Sequence, residues 1–162
     1  MPNPSQSTLV IVSGALFSAE GKLLLLRRKE TDVWEFPGGL LEFGEAPELG
    51  LVRTFREATD MDIAVDTPLG AWSTVENGAG PEEKKHLVHI AFVVRLSGTL
   101  LNVELDRAAH EGFAWLTRGE ALQRAGFSSF RAAVERAFTT LARTRGSRFT
   151  TEAQRHREGT EN

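Results

Sequence analysis

Apolar positions along the chain gather into short runs separated by glycine-, proline- and charge-rich breaks, and their period changes from run to run. Leu9 to Phe17 is apolar and β-branched at its start, the composition of a strand. Glu20-Gly21 reads as a turn, and Lys22 to Arg28 as the returning strand of a hairpin. Leu23 to Leu26 do not alternate with polar residues, so this strand is expected to be covered on both faces. Residues 34–45 (WEFPGGLLEFGE) are dense in Gly and Pro and predict a shaped loop. Pro47 suits the first turn of a helix, where a missing N–H costs nothing. That helix runs to about Met61, because Leu51, Val52, Phe55 and Ala58 recur at steps of three and four. Leu69 to Val75 and Leu87 to Leu96 predict strands on either side of a polar loop; Val88, Ile90, Phe92, Val94 and Leu96 share one face of the second. Gly112 to Leu116 predicts a short strand. A second helix starts near Ser128 or Ser129, either a good cap, with Phe130, Ala133, Val134, Ala137, Phe138 and Leu141 as its apolar stripe. Several strands and two packed helices indicate an α+β sandwich. Residues 1–7 read as a flexible leader, 8–144 as the folded domain, and 145–162 as a polar, flexible tail.

Composition narrows the class. The 162 residues suit one domain that can bury a core without staples. The absence of cysteine excludes disulfide frameworks, cysteine zinc sites and thiol nucleophiles. A net charge of −3 offers no global field for nucleic acid or membrane, and neither is expected as a partner. The longest aliphatic run near the start, Leu23 to Leu26, is far short of the ~20 residues that span a bilayer. The first residues lack the charged-then-apolar order of a signal peptide, so the expectation is a soluble, cytoplasmic protein.

The chemistry concentrates between Gly39 and Met61. Gly39, Glu45, Arg53, Phe55, Glu57 and Met61 fall at the spacings of the pattern G-x5-E-x7-R-E-U-x-E-E-x-G-U, where U is a bulky aliphatic residue. Trp34 to Gly39 (WEFPGG) is the usual lead-in, and Glu42 and Gly44 match positions where Glu and Gly are frequent. Over roughly residues 8–142 the chain resembles the Nudix hydrolase superfamily of MutT-like proteins. The resemblance implies a Nudix fold: an α/β/α sandwich with a mixed central sheet. It also implies cleavage of a nucleoside diphosphate linked to another moiety, or of a similar organic pyrophosphate, with Mg²⁺ or Mn²⁺. A homodimer is common in the family.

In resembling enzymes the ion is held by carboxylates at positions equivalent to 54, 57 and 58 and by the carbonyl equivalent to Gly38. A helix turns ~100° per residue, so those three side chains share a face. Here Thr54 and Ala58 replace two of the glutamates, Asp60 replaces the glycine, and Gly50 stands where Ala is frequent. The resemblance leaves Glu57 and the Gly38 carbonyl as the expected metal ligands. Glu111, four residues before Trp115, is the first candidate for an added carboxylate, as ligand or as the group that activates water. Glu82 and Glu83 are further candidates, and Asp60 is a poorer one. The resemblance implies that Glu45 and Arg53 tie the loop to the helix, with Gly39 completing the structural part of the box; Arg53 also counts among the catalytic candidates. Arg27, Arg28, Trp34, Gly39 and His89 are candidates for contact with substrate. For Arg27 and Arg28 a solvated strand end is the competing reading; for Trp34 it is core packing. The odd spacing of His86 and His89 puts them on opposite strand faces and argues against a joint site. Depletion of the box leaves two alternatives to hydrolysis: a module that binds a nucleotide or diphosphate as a sensor, and non-hydrolytic chemistry on a diphosphate.

Overall fold

A run of four leucines with no polar break needs apolar neighbours on both sides, and the computed structural model supplies them. It describes residues 6–99 and 101–158, with side chains to residue 146. Strand β2 (Leu23–Arg28) sends Leu23 and Leu25 into one apolar cluster and Leu24 and Leu26 into another, and all four are fully buried. The first cluster is closed by helices α2 (Arg118–Arg124) and α3 (Ser128–Glu158) through Leu122, Phe130, Val134 and Ala137. The second is closed by α1 (Pro47–Thr59) through Leu51, Phe55 and Ala58. The strands thus lie between helical layers, the expected α/β/α sandwich.

Among the described residues the strands form two sheets. One is mixed, in the order β4 (Gly38–Leu40), β1 (Gln6–Leu16), β6 (Lys84–Leu96), β5 (Ile63–Asn77), with β1 and β6 parallel. The other is antiparallel, β3 (Trp34–Glu35), β2, β7 (His110–Leu116). The Gly-Pro segment passes between them: Trp34 and Glu35 pair with β2, Gly38 to Leu40 pair with β1, and Gly14 N–H donates to the Pro37 carbonyl at 2.9 Å.

Several expectations need correction. β1 and β2 do not form a hairpin within one sheet. The turn at Glu20-Gly21 exists, but only a bridge between Phe17 and Leu23 follows it before the strands part to different sheets. β1 finds its partners far along the chain, in β6, and a local turn signal does not encode that choice. The Gly-Pro loop contains two short strands. β1 begins at Gln6, inside the stretch expected as a leader; residues 1–5 lie outside the described ones. α2 is an element the hydrophobic pattern does not predict, and α3 extends beyond Leu141, the last residue of its expected stripe, to Glu158.

Candidate active site

The loop–helix unit of residues 38–60 is held from its centre by one guanidinium. Arg53 donates through Nε and Nη2 to the two Glu45 carboxylate oxygens, both at 2.8 Å, and through Nη2 to the Leu40 carbonyl at 3.1 Å. Such a two-point pair fixes orientation as well as distance. The Arg53 hydrogen bonds hold the Glu45 carboxyl down at about 2, and Glu45 in turn raises the pKa of Arg53. Glu45 also accepts from the Glu42 N–H at 3.2 Å. Space around the unit is rationed. A Cβ on Gly50 would meet Leu41 and lie 2.7 Å from a Glu45 carboxylate oxygen, which accounts for glycine there. A Cβ on Gly38 would run into the Val12 carbonyl, and one on Gly39 would lie 3.1 Å from Thr54 Cγ2.

Beside this unit is an open cleft of about 90 Å³, lined by Gly38, Thr54, Glu57 and Ala58 on one side and by Asp106, Ala109 and His110 on the other. Thr54 is buried and its hydroxyl donates to the Leu51 carbonyl at 3.4 Å, so it turns back on its own helix. Glu57 is exposed and takes two contacts from Arg53 Nη1, at 3.1 and 3.3 Å. The far wall is docked onto the end of α1: Glu104 N–H donates to the Thr59 carbonyl at 2.9 Å and Asp106 N–H to the Ala58 carbonyl at 3.2 Å. These satisfy helix-end carbonyls that have no partner within the helix, and they place the exposed Asp106 beside the cleft. His110 is buried, with Nε2 at 2.9 Å from Glu35 Oε1. Its Nδ1 is buried without a hydrogen-bond partner among the described residues. An unsatisfied buried polar group costs about 1–3 kcal/mol. Sequence reasoning singled out neither Asp106 nor His110. A histidine at the mouth of the Trp115 strand was the available signal for the second; nothing local marks the first.

Residues 8–138 match the NUDIX domain family. The chain belongs to that family. A MutT-like protein of Streptomyces ambofaciens is 31% identical over 129 residues, covering 76% of this chain and 77% of the relative. An ADP-ribose pyrophosphatase of Methanocaldococcus jannaschii is 29% identical over 107 residues, covering 64% of this chain and 60% of its own length. In structure, the MutT protein from Methanosarcina mazei Go1 superposes with a TM-score of 0.64 at 22% identity, over 85% of this chain and 96% of that one, a likeness of fold.

Within this NUDIX domain the other candidates separate. Glu111 is the extra residue of a bulge where β7 crosses Arg27 and Arg28, and it lies 3.7 Å from Arg27 Nη2. Arg27 also approaches Asp32 at 3.5 Å; neither Arg27 nor Glu111 lines the cleft. Arg28 Nε donates to Glu35 Oε1 at 3.1 Å, so Arg28 and His110 converge on one oxygen. Trp34 packs against the α2–α3 cluster, and the Arg124 guanidinium sits 5.2 Å from its ring centroid, occupying a face that a base would need. His89 stacks on Trp72 with centroids 5.1 Å apart, and its Nε2 is 3.4 Å from Thr74 Oγ1; burial lowers its pKa. Glu83 accepts from Ala79 and Gly80 N–H within its own loop. Asp60 ends α1 at φ 60°, the left-handed conformation glycine adopts most freely, which explains the box glycine at that position.

The donor set can be tested against a divalent ion. Among the described residues no three of His, Cys, Asp and Glu are arranged as a metal cage. Glu57, Asp106 and Gly38 line the same cleft, and all three carry oxygen donors. Mg²⁺ is commonly held by one or two carboxylates together with substrate phosphates rather than by an all-protein cage. The residues present fit that mode. Among the described residues, no helix is long and apolar enough to cross a membrane.

Proposed function

We propose that this chain is a Mg²⁺- or Mn²⁺-dependent NUDIX pyrophosphohydrolase acting on a nucleoside diphosphate linked to another moiety or on a similar organic pyrophosphate. The observation that carries this reading is the meeting of Glu57 and Asp106 with Gly38 in one cleft beside an intact Arg53–Glu45 clamp. Glu57, Asp106 and the Gly38 carbonyl would hold the ion, with phosphate oxygens completing its shell. When bound, the ion neutralises phosphate charge and lowers the pKa of water. Arg53 keeps Glu57 directed while fixing the loop that carries Gly38. Asp106 takes over the outside-carboxylate role for which the sequence pointed first to Glu111, because it lines the cleft. An ADP-ribose pyrophosphatase among the relatives supports a diphosphate as the substrate class.

A panel of nucleoside-diphosphate compounds, incubated with Mg²⁺, with Mn²⁺ and with chelator, tests the reading by mass spectrometry of the products. Turnover should require metal and fall at least ~10²-fold in Glu57→Gln, since even second-shell changes around a metal cost ~10–100-fold. Metal-independent turnover, or turnover indifferent to Glu57→Gln, would sink it. The spent hydroxyl of Thr54 and the apolar Ala58 favour a second reading, a diphosphate-binding module. Such a module would gain thermal stability with ligand by mass action and turn nothing over.

A further inference from the structure

The wall of the cleft opposite α1 carries positive charge that the proposed chemistry has not used. Asp106, Ala109 and His110 line that wall, and Arg107 stands exposed among them. The stretch is one tight turn, because the Ala109 and His110 N–H groups donate to the Asp106 carbonyl at 3.1 and 3.0 Å. The Lys29 N–H donates to the Ala109 carbonyl at 3.0 Å, which anchors the backbone of a second exposed cation at the same edge. Neither side chain has a hydrogen-bond or ion-pair partner among the described residues. Neighbouring cations differ: Arg27 faces Asp32 and Glu111, Arg28 faces Glu35, and Arg53 is matched by Glu45. An exposed, unpaired cation is ordinarily just solvated. At this edge charge balance gives it a task. A divalent ion held by Glu57 and Asp106 is balanced by those two carboxylates. The phosphates of a diphosphate each keep a negative charge near neutral pH, and the ion site leaves that charge unmatched.

We infer that Arg107 and Lys29 form an anion-binding arm of this cleft and take the substrate phosphate that the ion does not hold. The inference rests on the reading of the cleft as a diphosphate site. Both side chains are exposed and unpartnered, so neither has to break a contact to engage a ligand. Arg107 presents a planar fork that can meet two phosphate oxygens at once, and Lys29 a point charge on a flexible stem. The arm makes the cleft selective for adjacent phosphates: a diphosphate reaches ion and arm together, and a monophosphate reaches one of them. It also gives consecutive residues opposite tasks, Asp106 toward the cation and Arg107 toward the anion.

Calorimetric titration of the full chain with methylenebisphosphonate in excess Mg²⁺ tests the arm, because the P–C–P bridge of this probe resists hydrolysis. Inorganic phosphate is the single-phosphate control. Wild type should bind the bisphosphonate at least ~10-fold more tightly than phosphate. Arg107→Gln should weaken bisphosphonate binding by ~10-fold or more, and Lys29→Gln by about threefold or more. Both positions are exposed, so the variants keep the fold. Arg95→Gln removes an exposed arginine of β6 outside the cleft lining and should stay within about twofold of wild type. A double variant of Arg107→Gln and Lys29→Gln that binds within about twofold of wild type overturns the inference. So does a wild type that binds no bisphosphonate, and so does a loss in Arg95→Gln equal to that in Arg107→Gln, which would report net charge alone. The hydrolase reading fails separately. Unchanged affinity in the double variant, beside metal-dependent turnover that Glu57→Gln abolishes, removes the arm and leaves the hydrolase. Affinity lost in the double variant, with no turnover of any panel compound, keeps the arm on a cleft that binds without cleaving.

Discussion

The two ends of the segment Gly39–Met61 have been kept to different standards. At the loop end the Glu45–Arg53 pair is intact and its geometry is close, with two 2.8 Å hydrogen bonds and a third to the Leu40 carbonyl. At the cleft end Thr54 and Ala58 carry no charge, and the second cleft carboxylate comes from Asp106, almost fifty positions later. The difference separates two kinds of requirement. A guanidinium that reaches a carboxylate and a carbonyl together demands particular residues at particular backbone positions. A hard cation asks only that oxygens of the right charge arrive at one point, and any segment that docks there can bring them.

Asp106→Asn tests that separation most severely. Loss of its charge should weaken apparent metal affinity by about 10–100-fold, a lower bound taken from second-shell changes. Glu111→Gln should move it by less than about threefold, because Glu111 faces Arg27 at a largely exposed position where such pairs contribute little. Titration of turnover against Mg²⁺ and Mn²⁺ in both variants gives the order. A larger effect at Glu111 would return the outside carboxylate to that residue and break the comparison.

What could be read in advance follows the same division. The four-leucine strand, the α1 stripe, the start of α3 and the Glu45–Arg53 clamp were legible because each depends on residues close in sequence. The place of Glu57 and Gly38 beside one cleft was legible because the box spacing sets them relative to that clamp. Asp106 was not, because its place depends on two backbone hydrogen bonds to the end of α1, and backbone groups leave no mark in the sequence. The partition of β1 and β2 between sheets was hidden for a related reason, since β1 chooses β6 across a long separation. β5 exceeds its predicted length because bulges at Val65/Thr67 and Pro68/Gly70 carry it past residues that would otherwise end a strand. α2 did leave a signal. Thr117 and Glu120 form a reciprocal capping box, a T-x-x-E pattern that a seven-residue helix containing Gly119 makes easy to pass over.

Glu45→Gln sharpens the comparison from the loop end. Arg53 holds the Glu45 carboxyl at about 2 in the folded chain against an ordinary 4.5. A depressed carboxylate contributes stability that is fully present above its unfolded pKa and is lost as pH falls through the folded one. The Tm deficit of Glu45→Gln should therefore be largest near neutral pH and shrink as pH drops from about 4.5 towards about 2. Thermal melts of both proteins across that window measure it. A deficit independent of pH would mean that the pair acts through shape rather than charge.

The smallest effect belongs to Asp60, at the junction of the two ends' logic. It departs from the box glycine, yet it keeps the conformation that makes glycine useful there, φ 60°, with its N–H donating to the Arg56 carbonyl at 2.8 Å. A left-handed residue with a Cβ carries a penalty that Asp bears better than most residues and glycine avoids. Against this, glycine surrenders more freedom on folding. The balance should make Asp60→Gly more stable by about 0.5 kcal/mol, with no change in metal dependence, because Asp60 does not line the cleft. Chemical denaturation and a metal titration of the variant read the two halves of that statement. A variant that melts unchanged but loses affinity for Mg²⁺ would move Asp60 from the scaffold to the chemistry, and the boundary between the two halves of the segment would have to be redrawn.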